Sequence, residues 1–197
     1  MFPRISIPAL FLTVPLLATT AGEVEAQICE PELYTIPNII ATPNGNVVTR
    51  ITIMTPGGPQ PGVLVELRYR AVAEGQACWC SDQVHPVLSA ITDSEGHADF
   101  NVRGGRCLNP DDFPGGETIS VFVNGLDCVD RGQVSPDVLS TDASKCEVTL
   151  ADAVNFTGPL STSQYSFCHD LNSDLYVGLT DAVIFTQSAA NAVSCTR

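Results

Sequence analysis

Positive charge is scarce in this chain: nine Lys and Arg stand against 22 Asp and Glu, for a net charge of −13 over 197 residues. Binding a phosphate backbone requires clustered cations; none is present, so nucleic acid is excluded as a partner. An acidic surface instead attracts divalent cations. Histidine is rarer still, with only His85, His97 and His169. The expected places are a disulfide-rich loop for His85, a hairpin turn for His97 and a loop surface for His169. No His-Glu-x-x-His helix, Gly-x-Ser-x-Gly elbow or Gly-rich phosphate loop is found. A glycosidase-type carboxylate pair would need a deep cleft, for which a strand-rich segment of about ninety residues leaves no room. The chain is read as not being an enzyme. Long apolar runs are also missing: after Ala18 none approaches the ~20 residues of a spanning helix.

The one apolar run, Ile5 to Ala18, follows the single charge of Arg4 and is too short to span. It fits the h-region of a signal peptide. Val24-Glu25-Ala26 suits a signal peptidase, which sets residues 1–26 as the signal, with cleavage near Ala21 as the alternative. The mature chain is then secreted or at the cell surface, with no membrane segment. Its eight cysteines are an even number, which in an exported chain implies disulfides. A zinc site from Cys78, Cys80, His85 and Cys107 lacks the usual paired spacing. Locality favours Cys168 with Cys195, closing a ring of 28 residues, and Cys128 with Cys146. Cys29 and Cys107 are left for Cys78 and Cys80, in either order.

From about residue 35 to 125 the pattern is β. Thr49, Ile51 and Ile53 share one face of a β-branched run. Pro56 to Gly62, with three prolines and three glycines, must turn. Val63, Val65, Leu67 and Tyr69 then alternate with Glu66, Arg68 and Arg70. Leu88–Thr92 and Ala98–Val102 flank Asp93-Ser94-Glu95-Gly96 and read as a hairpin, and Thr118–Val123 with Asn124-Gly125 as another strand and turn. Short strands without helical interruption predict a β-sandwich. Pro61-Gly62-Val63-Leu64-Val65-Glu66-Leu67 and Thr92-Asp93-Ser94-Glu95-Gly96-His97-Ala98-Asp99-Phe100 resemble two strand motifs of bacterial immunoglobulin-like domains of the invasin type. The resemblance implies an Ig-like sandwich over residues 27–136, with Glu74–Pro86, holding Cys78-Trp79-Cys80, as a disulfide-pinned loop upon it.

Beyond Pro136 the sequence repeats. Val148–Thr157 and Val177–Thr186 match at a period of 29 residues, with seven of ten positions identical. Each copy has Leu, Val and Phe at helical spacing, so each is expected to open a short amphipathic helix. Ahead of the second helix, oxygen donors recur at loop positions 1, 3, 5 and 12: Asp170, Asn172, Asp174 and Asp181. Calcium takes six to eight oxygens, and an EF-hand loop supplies them at these positions plus a backbone carbonyl at position 7, here Tyr176. Val177 is expected to meet Val148 in a short β-contact.

The Asp at position 12, the missing preceding helix and the paired copies make residues 137–197 resemble dockerin domains. The resemblance implies a small α-helical loop–helix repeat pair that binds Ca2+ through Asp170, Asn172, Asp174, Tyr176 and Asp181. Leu175 stands where the family has a left-handed Gly, at a cost of ~1–2 kcal/mol. The first copy carries Thr141, Ala143 and Lys145 where ligands would stand. It is read as a calcium-free structural repeat, or as a loop rebuilt around Asp137, Asp142 and Asp152. Positions 10 and 11, which read a cohesin partner in cellulosomal dockerins, are Leu150-Ala151 and Leu179-Thr180 and not the usual hydroxyl pair, so cohesin binding does not carry over. The chain thus resembles secreted bacterial proteins that join these two modules. It is expected to be mainly β, non-catalytic, structural or adhesive, with an extracellular protein or carbohydrate as partner and no membrane contact after signal cleavage. The alternative is a scaffold-docking, cohesin-binding component of an extracellular polysaccharide-degrading complex.

Overall fold

The computed structural model describes residue 29 and residues 33–138, 145–162, 164–189 and 195–196. The expected signal segment 1–26 lies outside them, as do Thr141, Asp142 and Ala143. Among the described residues the fold is mainly β, with three α-helices. The strands are β1 (Tyr34–Thr35), β2 (Ile39–Thr42), β3 (Thr49–Thr55), β4 (Gly58–Pro59), β5 (Leu64–Tyr69), β6 (Cys78–Trp79), β7 (Val87–Ile91), β8 (His97–Phe100), β9 (Val102–Gly105), β10 (Ile119–Val123), β11 (Leu126–Arg131), β12 (Gln133–Val134), β13 (Lys145–Cys146) and β14 (Cys195–Thr196). The helices are α1 (Ala71–Gln76), α2 (Leu150–Thr162) and α3 (Leu179–Ala189).

One antiparallel sheet runs β11-β10-β5-β7, and a second has β3 at its centre with β1, β4 and β8 around it. Alternation puts Ile51 and Ile53 of β3 and Val65 and Leu67 of β5 into one shared core. The faces expected for Thr49–Ile53 and Val63–Tyr69 are the buried ones. A third sheet, β12-β2-β9-β6, contains two parallel pairings and carries the C-terminal part. Asn124 and Gly125, both at positive φ, close the β10–β11 hairpin as their dipeptide predicts.

Three expectations for this segment change. The Asp93–Gly96 turn does not make a hairpin, because β7 pairs with β5 while β8 pairs with β3. The turn carries the chain from one sheet to the other. Asp93 caps it by accepting from the N–H groups of Glu95 and His97, and Gly96, at φ +76°, lies where any Cβ would meet the Ile53 carbonyl at 2.4 Å. Tight-turn chemistry reports the reversal but not the pairing partner. Second, a helix does interrupt the strands: α1 and then the buried strand β6 take the first part of Glu74–Pro86, while residues 81–86 keep the irregular, mostly exposed course expected of a loop. Third, the cysteines of that stretch pin it elsewhere than to the sheets.

All eight cysteines are oxidised, as expected, but none pairs as locality suggested. The bonds are Cys29–Cys128, Cys78–Cys146, Cys80–Cys195 and Cys107–Cys168. Each doubling of loop length costs only ~0.6 kcal/mol. Replacing the short ring at Cys195 by a span of 115 residues therefore costs roughly 1 kcal/mol of closure, which packing easily outweighs. Three bonds join residues before Pro136 to residues after it. A second apolar cluster crosses the same boundary, with Ile40 and Val134 against Phe156, Leu171, Val177 and Phe185. The C-terminal part is thus welded to the sheets. Among the described residues no helix is long and apolar enough to cross a membrane.

Candidate metal centre

The two repeat copies open α2 and α3 as their spacing predicts. Phe156 and Phe185, equivalent in the repeat, stack with ring centroids 4.9 Å apart. Neither Val148 nor Val177 lies in a strand; β13 pairs with β14 instead. The seam between the helices rests on aromatic packing.

The loop before α3 brings all five expected residues into one turn of chain. Asp170 and Asp181 are fully buried. Asp170 accepts from the N–H of Asp174 at 3.1 Å and of Leu175 at 2.9 Å, one on each oxygen. Asp181, in the first turn of α3, reaches back to accept from the N–H of Asn172 at 3.0 Å and of Gly178 at 2.8 Å. Asp174 accepts from the Tyr176 N–H and from the Asn172 amide. Ser173 and Leu175 take positive φ, +59° and +66°, the conformation a tight inward-winding loop demands. Each carboxylate oxygen has a second lone pair beyond these bonds, so the loop offers the oxygen chemistry a hard cation takes, from up to four side chains and the Tyr176 carbonyl. The ligand atoms of Asp170, Asp174 and Asp181 do not, however, all converge within 4.8 Å of one another. Burial, reinforced by Asp181 and Asp174, holds the Asp170 carboxyl above the ordinary carboxylate range.

The first loop keeps half of this plan. Asp152 repeats Asp181: it is buried and accepts from the N–H of Thr149 at 2.8 Å and of Val138 at 2.9 Å. Asp137 is different. It is fully buried against Gly105 of β9, where a Cβ would meet its Oδ2 at 2.2 Å. Its own carbonyl accepts from the Arg106 N–H. Neither carboxylate oxygen makes a well-aligned hydrogen bond among the described residues, and the backbone N–H of Glu147 is the donor that comes nearest to serving it. Burial, and then the neighbouring Asp152, push this carboxyl up to about 7, with the Glu147 backbone N–H and then Arg106 offsetting only part. The sequence names Asp137, with Asp142 and Asp152, for a rebuilt first loop, but its burial comes from packing against β9, which no local signal shows.

His169, expected at the surface, is buried. It bonds Ser166 Oγ at 2.7 Å and Asn155 Oδ1 at 2.6 Å, tying the second loop to α2. Burial lowers its pKa, so it is a neutral strut. His97 starts β8 and meets Thr52; His85 stacks on Trp79 at 4.9 Å and pairs with Glu74 at 3.0 Å. Three sulfurs, those of Cys80, Cys146 and Cys195, lie within 4.8 Å of one another. All belong to disulfides, so they offer no thiolate to a metal. The three cysteines of the Cys78, Cys80, His85 and Cys107 set are likewise spent on disulfides. No protein-family model, curated protein or solved structure matches this chain.

Proposed function

We propose that the chain is a secreted, non-catalytic structural or adhesive protein, an Ig-like β-sandwich whose C-terminal dockerin-like repeat pair is ordered by Ca2+. The observation that carries this reading is the Asp170–Asp181 loop. Two carboxylates are fully buried there, and a non-Gly residue is held left-handed so that the loop winds around its own oxygen donors. Desolvating several like charges in one turn is costly without a cation to neutralise them. Isothermal titration of the purified chain tests it. Calcium binding that Asp170→Ala removes at this loop is expected, and no binding at millimolar calcium would sink the reading.

Asp137 favours the rebuilt form of the first loop over the calcium-free form. A buried carboxylate pair with one member poorly served by donors is a place for a second ion, held by Asp137 and Asp152. Two ions per chain are then expected.

The scaffold-docking alternative also gains a specific support. Leu150 and Leu179, 80% and 81% exposed, and Val154 and Val183 behind them occupy equivalent places on the two helices. A shallow apolar cavity of about 490 Å³ lies at Leu150, Ala151, Val154 and Asn155. Exposed leucines at matched positions suit a protein partner, and a pull-down from a cell-surface extract with and without calcium separates the two readings.

A further inference from the structure

Cys78, Cys80, Cys146 and Cys195 form a buried cluster of their own, in two disulfides that both join the sheets to the C-terminal part. Because the sulfurs of Cys80, Cys146 and Cys195 are within 4.8 Å of one another, each disulfide has a sulfur of the other as its neighbour. The backbone also sets up a second pairing. Cys146 and Cys195 face each other across the β13–β14 ladder, where opposed Cα atoms stand ~4.5–5.5 Å apart, within the span of a disulfide. Cys78 and Cys80 flank Trp79 on one face of the chain, ~6.6 Å apart while it is extended, so a bond between them needs the chain to bend at Trp79 to bring the Cβ atoms within ~4.5 Å. There is also an entrance. A surface cavity of about 320 Å³ is lined by Glu74, Gly75, Trp79, Cys80, Ser81 and His85, so Cys80 forms part of its wall.

The geometry points to a thiol–disulfide exchange site, in which a small thiol entering at Cys80 converts the two bridging disulfides into Cys146–Cys195 and Cys78–Cys80. The incoming thiolate attacks the Cys80 sulfur and forms a mixed disulfide; the Cys80–Cys195 bond breaks and Cys195 leaves as a thiolate with the electron pair. Cys195 then attacks the Cys146 sulfur, forming Cys146–Cys195 and releasing Cys78 as a thiolate. Cys78 attacks Cys80, forming Cys78–Cys80 and returning the small thiolate. Disulfides are conserved in number, nothing is oxidised or reduced overall, and the thiol is recovered. Three bonds tie the C-terminal part to the sheets before exchange; only Cys107–Cys168 does afterwards. The site therefore works as a covalent release between the two parts, independent of calcium.

Incubation of the oxidised full chain with reduced glutathione at pH 8, acid quench, alkylation and mapping of unreduced peptides tests this. Peptides joining Cys146 to Cys195 are expected to accumulate while Cys107–Cys168 stays intact and no net thiol is gained in the four-cysteine cluster. Free thiols at Cys80 and Cys195 with Cys78–Cys146 unchanged would overturn it. So would a cluster that does not react while Cys29–Cys128 does. Ser81→Trp, at an exposed position on the cavity wall, should slow the exchange at least tenfold, and an unchanged rate would overturn entry at Cys80.

Discussion

In the second loop the buried carboxylates of Asp170 and Asp181 each accept two backbone N–H bonds, whereas in the first loop Asp152 is served in that way and Asp137 is not. The two aspartates at the mouths of the loops are equally buried. They differ in what surrounds them. Asp170 sits in a loop of its own making, whose winding turns amides inward. Asp137 is pressed against β9, which offers it the bare Cα of Gly105 and no donor. A buried acid with so little donor support, here the Glu147 N–H alone, is driven to hold a proton or a cation, so the comparison teaches that the first loop is the less complete protein site and the more dependent one.

The strongest way to break the comparison is to delete one mouth at a time. Asp170→Ala should leave a single calcium site per chain by isothermal titration, and Asp137→Asn should also leave one, that of the second loop. A wild-type stoichiometry of one, abolished by Asp170→Ala, would return the first loop to a structural repeat.

In calcium-free buffer the carboxyls of Asp170 and Asp137 are both held above their ordinary value, Asp137 the more strongly. The folded-state value of Asp137, about 7, lies above its unfolded value near 4. The folded chain therefore holds this proton more tightly than the unfolded chain does. Its contribution to stability is complete below about pH 4 and is lost as pH rises toward 7, by up to about 4 kcal/mol. Urea unfolding across pH 4–7 should show a wild-type stability that falls relative to Asp137→Asn, which cannot ionise. Saturating calcium should abolish that fall, since the ion replaces the proton. A difference that stays flat in calcium-free buffer would mean that Asp137 finds donors in solution.

The seam shared by the two copies should matter less. Phe156→Ala removes one ring of the stacked pair from an apolar cluster that also holds Ile40 and Val134, and should cost about 3 kcal/mol in urea. Because that cluster spans both parts, unfolding should remain a single transition; two separate transitions would show the copies to be independent of the sheets. Smaller again is Leu175→Gly. Leu175 is largely exposed and at φ +66°, so the change relieves strain and should stabilise by about 1 kcal/mol or less, after the entropy that Gly loses on folding.

The elements whose outcome depends on local chemistry were legible: the alternating face of β5, the Asn124-Gly125 hairpin and the two repeat helices. Leu175 was legible too, because a position six residues into such a loop demands a left-handed backbone whatever residue occupies it. What could not be read was set by distant packing. The Asp93–Gly96 turn has the same local chemistry whether its flanking strands pair or part to different sheets. The cysteine pairs follow which sulfurs the sheets bring together, and chain separation penalises that choice too weakly to guide it. His169 looked like a loop residue because its partners, Ser166 and Asn155, are brought to it by α2 and the turn before it. Asp137 was one of three acids named for a rebuilt first loop, and only β9 placed against it shows that it is buried.

The last test sharpens the comparison where the copies agree. Leu150 and Leu179 start α2 and α3 at matched positions, four-fifths exposed, while Phe156 and Phe185 on the opposite faces are buried. If the exposed leucines serve a partner and not the fold, replacing both should leave the isolated chain untouched. The transfer free energy of a leucine already in water is small, and surface substitutions fall within about 0.5 kcal/mol. The double variant Leu150→Ser with Leu179→Ser is therefore expected to unfold at the wild-type urea concentration, with calcium stoichiometry unchanged, while losing any calcium-dependent protein captured by the wild type. A loss of more than about 1 kcal/mol would show that these side chains are packed in solution. In that case their matched exposure would say nothing about a partner, and the structural or adhesive reading would stand without its rival.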